Sequence, residues 1–86
     1  INNTTGDLQI VCTGDDLNLK SNDDFSVKTS GGNKSSIIAV GDGTVELYHN
    51  NNKKLETIST GATVTGDLWI SGDLYVADDI VYDEIF

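Results

Sequence analysis

Apolar residues along this chain keep a period of two. Leu8 and Ile10 sit two apart, as do Leu17 and Leu19, and Phe25 and Val27. Polar or glycine-containing text follows each pair: Thr13-Gly14-Asp15, Ser21-Asn22-Asp23, and Ser30-Gly31-Gly32-Asn33. Alternation bounded by turn residues predicts three short strands. No window keeps apolar residues at i, i+3, i+4 and i+7, so no amphipathic helix is expected. Residues 37–48, IIAVGDGTVELY, predict two strands split by Gly41-Asp42-Gly43. The run His49 to Lys54 is asparagine-rich and reads as a second turn, because asparagine tolerates left-handed backbone. Val45-Glu46-Leu47-Tyr48 and Leu55-Glu56-Thr57-Ile58 then form the arms of a hairpin, and Thr60-Gly61 closes the module.

From residue 62 the period lengthens to six. Gly66-Asp67-Leu68-Trp69-Ile70-Ser71 is followed by Gly72-Asp73-Leu74-Tyr75-Val76-Ala77, then by Asp78-Asp79-Ile80-Val81-Tyr82-Asp83. Ala62 and Val64 lie one unit upstream, in phase. Side chains on a strand alternate faces, so Ala62, Val64, Leu68, Ile70, Leu74, Val76, Ile80 and Tyr82 share one expected inward face. Trp69, Tyr75 and Val81 fall on the other. These patterns divide the chain into a strand-and-turn region (1–35), a β-hairpin module (36–61) and a hexad-repeat region (62–86).

A six-residue unit is a strand of three or four residues plus a corner, which suits the side of a prism. One chain can wind such a prism alone, with three hexads per coil, or three chains can wind it together. Four hexads make little more than one single-chain coil, and solenoids need about three stacked repeats to bury a core. Two further copies of the chain would cover the inward face, with each buried side chain contributing roughly 1.5–3 kcal/mol, and would pair the strand edges. The expected fold class is therefore all-β: a fibrous homotrimer with an intertwined triple β-helix or β-prism in the hexad region and short β-hairpins. The eight inward residues are its trimer core.

Composition narrows the partners. The 86 residues carry a net charge of −9, with five lysines, no arginine and no proline. Phosphate binding needs concentrated Lys and Arg, so nucleic acid is not expected, nor is an anionic membrane surface. No apolar run is long enough to span a bilayer as a helix. The hydrophobic share of 37% is lean for a self-sufficient core. Cys12 is the only cysteine and follows Leu8 and Ile10 at strand spacing, which reads as a small buried apolar residue rather than a thiol nucleophile. The chain begins at Ile1 rather than methionine, which suggests a piece of a longer protein.

The run Val45 to Gly66, VELYHNNNKKLETISTGATVTG, resembles a "VELYYDNSKKLETTSTGVTVTG" module. That module occurs in fibre-like virion proteins of marine tailed phages, cyanophages in particular. Gly72 to Ile80 is similar to the segments that follow it there. The resemblance covers roughly residues 41–82, about half the chain. His49 and Asn50 stand where Tyr-Asp is more usual, and Ile58 where threonine is common. The resemblance implies a trimeric, β-rich segment of a tail fibre, tailspike or related appendage, located in the virion. It implies no catalytic residue, and it leaves open whether the segment is shaft, connector or tip.

Candidate chemistry is sparse. The doublets Asp15-Asp16, Asp23-Asp24 and Asp78-Asp79 lack EF-hand spacing with its closing glutamate, and the calcium-binding nonapeptide pattern is absent. They read as solvated turn acids, and no metal site or cofactor is expected. Gly41-Asp42-Gly43 lacks the lysine and helix of a phosphate loop. His49, the only histidine, reads as a surface residue, with a metal shared on a threefold axis as the sharper option. Trp69 and Tyr75 read as outward packing residues or as a carbohydrate-stacking patch. No enzyme is expected. The first expectation is a structural segment whose partners are its own copies and, through flanking regions, other virion proteins. The alternative is a receptor-binding module in which the loops Gly31–Ser35 and His49–Lys54 touch a host surface glycan. A cellular trimeric adhesin stalk shares the same physics. A monomeric β-helix enzyme fragment is the remaining rival, and molecular mass separates it from the others.

Overall fold

A computed structural model describes residues 2–81. The fold is all-β, with no helix among the described residues. Five strands make one antiparallel meander: β1 (Phe25–Thr29), β2 (Lys34–Ala39), β3 (Val45–His49), β4 (Asn52–Ile58) and β5 (Gly61–Val64). Their order in the sheet is their order in the sequence. Each connection is therefore a hairpin, and each hairpin has a local cause.

Between β3 and β4 the chain turns in two residues. Asn50 and Asn51 both take positive φ, 48° and 67°, while His49 pairs with Asn52. Two left-handed residues in a two-residue loop match the right-handed twist of the flanking strands. The turn expected over His49–Lys54 thus needs only its two central asparagines, and Lys53 and Lys54 join β4. The hairpin pairs Leu47 with Leu55 and Glu46 with Glu56. The module does not close at Gly61. Ser59 and Thr60 form a second tight turn, Ile58 pairs with Gly61, and β5 extends the sheet to Val64.

The β2–β3 connection is anchored from outside the hairpin. Val40 N–H donates to the Thr44 carbonyl at 2.8 Å, and Gly43 N–H donates to the Val40 carbonyl at 3.0 Å. Gly41 N–H donates to Asp24 Oδ1 at 3.0 Å. Ser21 Oγ in turn donates to the Asp24 carbonyl at 2.7 Å, fixing the segment that carries the carboxylate. A Cβ on Gly41 would lie 2.8 Å from Asp23 Oδ1 and 3.0 Å from its backbone oxygen. Gly41→Ala should therefore cost about 1–3 kcal/mol by overpacking. A thermal melt of this variant against wild type measures it; an unchanged midpoint would mean that the Asp23–Gly41 contact yields freely.

Residues 2–24 and 65–81 form no strand with any other part of the chain. Of the three strands expected in the first 35 residues, only Phe25–Thr29 forms, because it alone has a neighbour, β2, to complete its ladder. The other two remain extended segments between bends. No described residue is buried. The radius of gyration is 17.8 Å, against about 12 Å for a compact chain of this length. The overall extents are 55 × 31 × 29 Å.

Candidate functional site

The hexads bend where the sequence places their corners. Bends fall at Gly66, at Ser71-Gly72 and at Ala77-Asp78, with extended arms between them. Gly66 takes a φ of +100°, which a side chain would strain. Along the arms, exposure separates two sets. Leu68, Ile70, Leu74, Val76 and Ile80 are 65%, 46%, 63%, 45% and 62% exposed, whereas Trp69, Tyr75 and Val81 stand at 87–89%. The first set is the less exposed of the two, although none of the described residues buries it. Ala62 and Val64 sit in β5, paired with Thr57 and Leu55 of β4. Tyr82, the last of the eight expected core residues, lies outside the described residues.

The first flank is built the same way, a match that a search for strict hexads misses. Thr5-Gly6-Asp7-Leu8-Gln9-Ile10 repeats the form of Thr65-Gly66-Asp67-Leu68-Trp69-Ile70. Thr13-Gly14-Asp15-Asp16-Leu17-Asn18-Leu19 carries the same elements with one acid added. The chain bends at Thr5-Gly6, Gly14-Asp15 and Asn22-Asp23. Leu8, Ile10, Leu17 and Leu19 on the arms are 53–61% exposed. Units with a longer period still share the signal: a small residue and an acid at the bend, then apolar–variable–apolar.

Between the flanks, the sheet has two unlike faces. Residues directly opposite each other share a face in an antiparallel ladder. One row runs Val27, Ile37, Leu47, Leu55 and Val64 across all five strands. The row behind Glu46 runs Ser26, Ile38, Glu46, Glu56 and Thr63. The second face carries the charge. Glu46 accepts from Tyr48 Oη at 2.6 Å and from Thr44 Oγ1 at 3.1 Å, with Lys53 Nζ 3.6 Å away. Lys53 donates to Glu56 at 2.9 Å.

The Tyr48 hydrogen bond, aided by Thr44 and Lys53, holds the Glu46 carboxyl below its ordinary value of 4.5. The same bond raises Tyr48 above 10.0, and Glu56 raises Lys53 above 10.5. The Glu46 contribution is complete above pH 4.5 and is lost as pH falls through its folded value. Those of Tyr48 and Lys53 are complete below their unfolded values and are lost as pH rises through their folded ones. The melting temperature of wild type minus that of Glu46→Gln should therefore be greatest between these limits and shrink toward both. A difference that ignores pH would show that the cluster acts by packing alone.

The loops Gly31–Ser35 and His49–Lys54 meet at one end of the sheet. Lys34 Nζ donates to Asn50 Oδ1, and Ser35 N–H donates to Asn51 Oδ1 at 2.9 Å. Asp24 is tied to Gly41 across 17 residues of chain, so this acid anchors the β2–β3 turn while remaining exposed, as expected of a turn acid. Cys12 is exposed rather than buried as its strand spacing suggests, because its segment joins no sheet; its Sγ lies 3.4 Å from the Asp16 carbonyl. Among the described residues no three His, Cys, Asp or Glu side chains gather as a metal site would require. Protein-family models, curated proteins and solved structures offer no match to the chain.

Proposed function

We propose that this chain is a structural segment of a homotrimeric virion appendage of the tail-fibre or tailspike type, holding three chains in register and supporting host attachment. One observation carries the trimer: the chain exposes 8036 Å², where a compact monomer of 9.2 kDa exposes about 4,900 Å². A surplus of roughly 3,000 Å² exceeds the ~800 Å² per partner of a standard interface, so there is surface for two neighbours. The less exposed apolar set on the hexads and the unpaired extended arms suit a threefold winding in which each arm finds its ladder on another chain. The resemblance of residues 41–82 to fibre-like phage proteins supplies the setting. Neighbouring virion proteins would join through the flanks of the segment. The test is solution mass by light scattering and native mass spectrometry. A species three times 9.2 kDa is expected; a folded monomer would sink the reading.

A second reading, a host-glycan-binding module, draws on two features. The two loops joined by Lys34–Asn50 and Ser35–Asn51 make one polar patch, and Trp69 and Tyr75 are almost fully exposed. Aromatic faces stack on sugars only when they are open to solvent. Binding on a glycan array that is lost in Trp69→Ala would favour this reading; a silent array favours the shaft.

A further inference from the structure

We infer that the uncharged face of the five-stranded sheet packs against the same face of two further copies, so that the sheet is a core layer of the trimer rather than a head held away from it. This rests on the trimeric reading above. Phe25, Val27, Ile37, Val45, Leu47 and Leu55 lie on one face, set by the register. The first five are 36–45% exposed although they sit inside a hydrogen-bonded sheet. An antiparallel sheet with one apolar face is stable when that face is covered, and among the described residues neither flank buries it.

Three observations select a second copy as the cover. The surplus surface is not confined to the flanks, because the sheet itself has no buried residue. The central rows of this face carry no charge; Lys34, opposite Thr29, lies only at its end, and Glu46, Lys53 and Glu56 all stand on the other side. A chain of net charge −9 can therefore lie on its own copy there without like-charge contact. The face also runs into the hexads. Val64 closes its central row, Thr65 N–H still pairs with the Lys54 carbonyl at 2.8 Å, and the first hexad bend follows at Gly66. Hexads that join three chains thus hold three sheets within one residue's reach of the axis, at an effective concentration in the millimolar range.

The experiment is cross-linking of the full chain in a Cys12→Ser background with a short bis-maleimide. Ala39→Cys places a thiol on the uncharged face, beside Val45 on the neighbouring strand; Ser26→Cys places one on the opposite face. Both changes are small enough to retain the sheet, which far-ultraviolet circular dichroism checks. The Ala39→Cys protein should cross-link between chains at least tenfold faster than Ser26→Cys, and dilution should not slow it while the trimer persists. Leu47→Asp should abolish the trimer or give a trimer whose sheet melts well below wild type, while Thr63→Asp on the opposite face should not. A trimer by mass that cross-links no faster at residue 39 than at 26 overturns the packed sheet and leaves the trimeric reading standing. A monomeric Cys12→Ser parent overturns both.

Discussion

Leu74→Asp should convert the proposed trimer into monomers, while Tyr75→Ser should leave it nearly intact. The two residues are adjacent, so they share chain position, local backbone and distance from either end. They differ in face. Leu74 belongs to the less exposed hexad set, at 63% exposure in the single chain; Tyr75 stands at 87% with only a 3.3 Å hydrogen bond to Asp73. In a threefold winding, three Leu74 side chains meet. Their burial stabilises by about 5–9 kcal/mol for three chains, and every 1.4 kcal/mol is tenfold in association. Aspartate removes that contribution and places three unpaired carboxylates on an apolar axis. The expected loss is more than a thousandfold in the association constant. Sedimentation across a concentration series reads it. Equal behaviour of the two variants would show that the faces have been assigned wrongly.

The sheet was readable from sequence because its determinants are local. The apolar run Ile37–Val40 and the alternation at Val45–Tyr48 and Leu55–Ile58 mark strands, and Gly41-Asp42-Gly43 and Asn50-Asn51 are turns by residue type. Register follows from a two-residue loop, since His49 opposite Asn52 brings Leu47 opposite Leu55, with a bulge beside Tyr48 to restore the apolar row. What remained unread was partnership at a distance. Alternation at Leu8–Ile10 and Leu17–Leu19 says that a segment is extended with one apolar side; it does not say which chain supplies the neighbouring strand. Asp24 was unreadable for a related reason. An acid in a Ser-Asn-Asp-Asp turn is exposed in the fold as the sequence suggests, but only the fold brings Gly41 N–H to it. Of the candidate core, Ala62 and Val64 fall in phase with the hexads along the sequence and occupy the last strand of the sheet in the fold. Period two serves both structures, so parity alone does not separate them.

Leu17→Asp should weaken the proposed assembly to an extent comparable with Leu74→Asp, although 56 residues and a whole sheet lie between the two positions. The expectation comes from the shared unit. Gly14-Asp15-Asp16-Leu17-Asn18-Leu19 and Gly72-Asp73-Leu74-Tyr75-Val76 place an acid at a bend and two apolar residues on the arm that follows. Leu17 and Leu19 are 53% and 61% exposed, inside the range of the hexad set. If the same device works at both ends, three copies of Leu17 are covered as three copies of Leu74 are, and a carboxylate there meets the same apolar neighbours. Asn18 is the control, because it occupies the variable position between the two leucines; Asn18→Asp adds the same charge and should leave assembly in place. The mass distribution of the two variants, measured side by side at micromolar concentration, decides the matter. A trimer that tolerates Leu17→Asp as well as Asn18→Asp would confine the threefold winding to the hexads and leave residues 2–24 as an arm outside it.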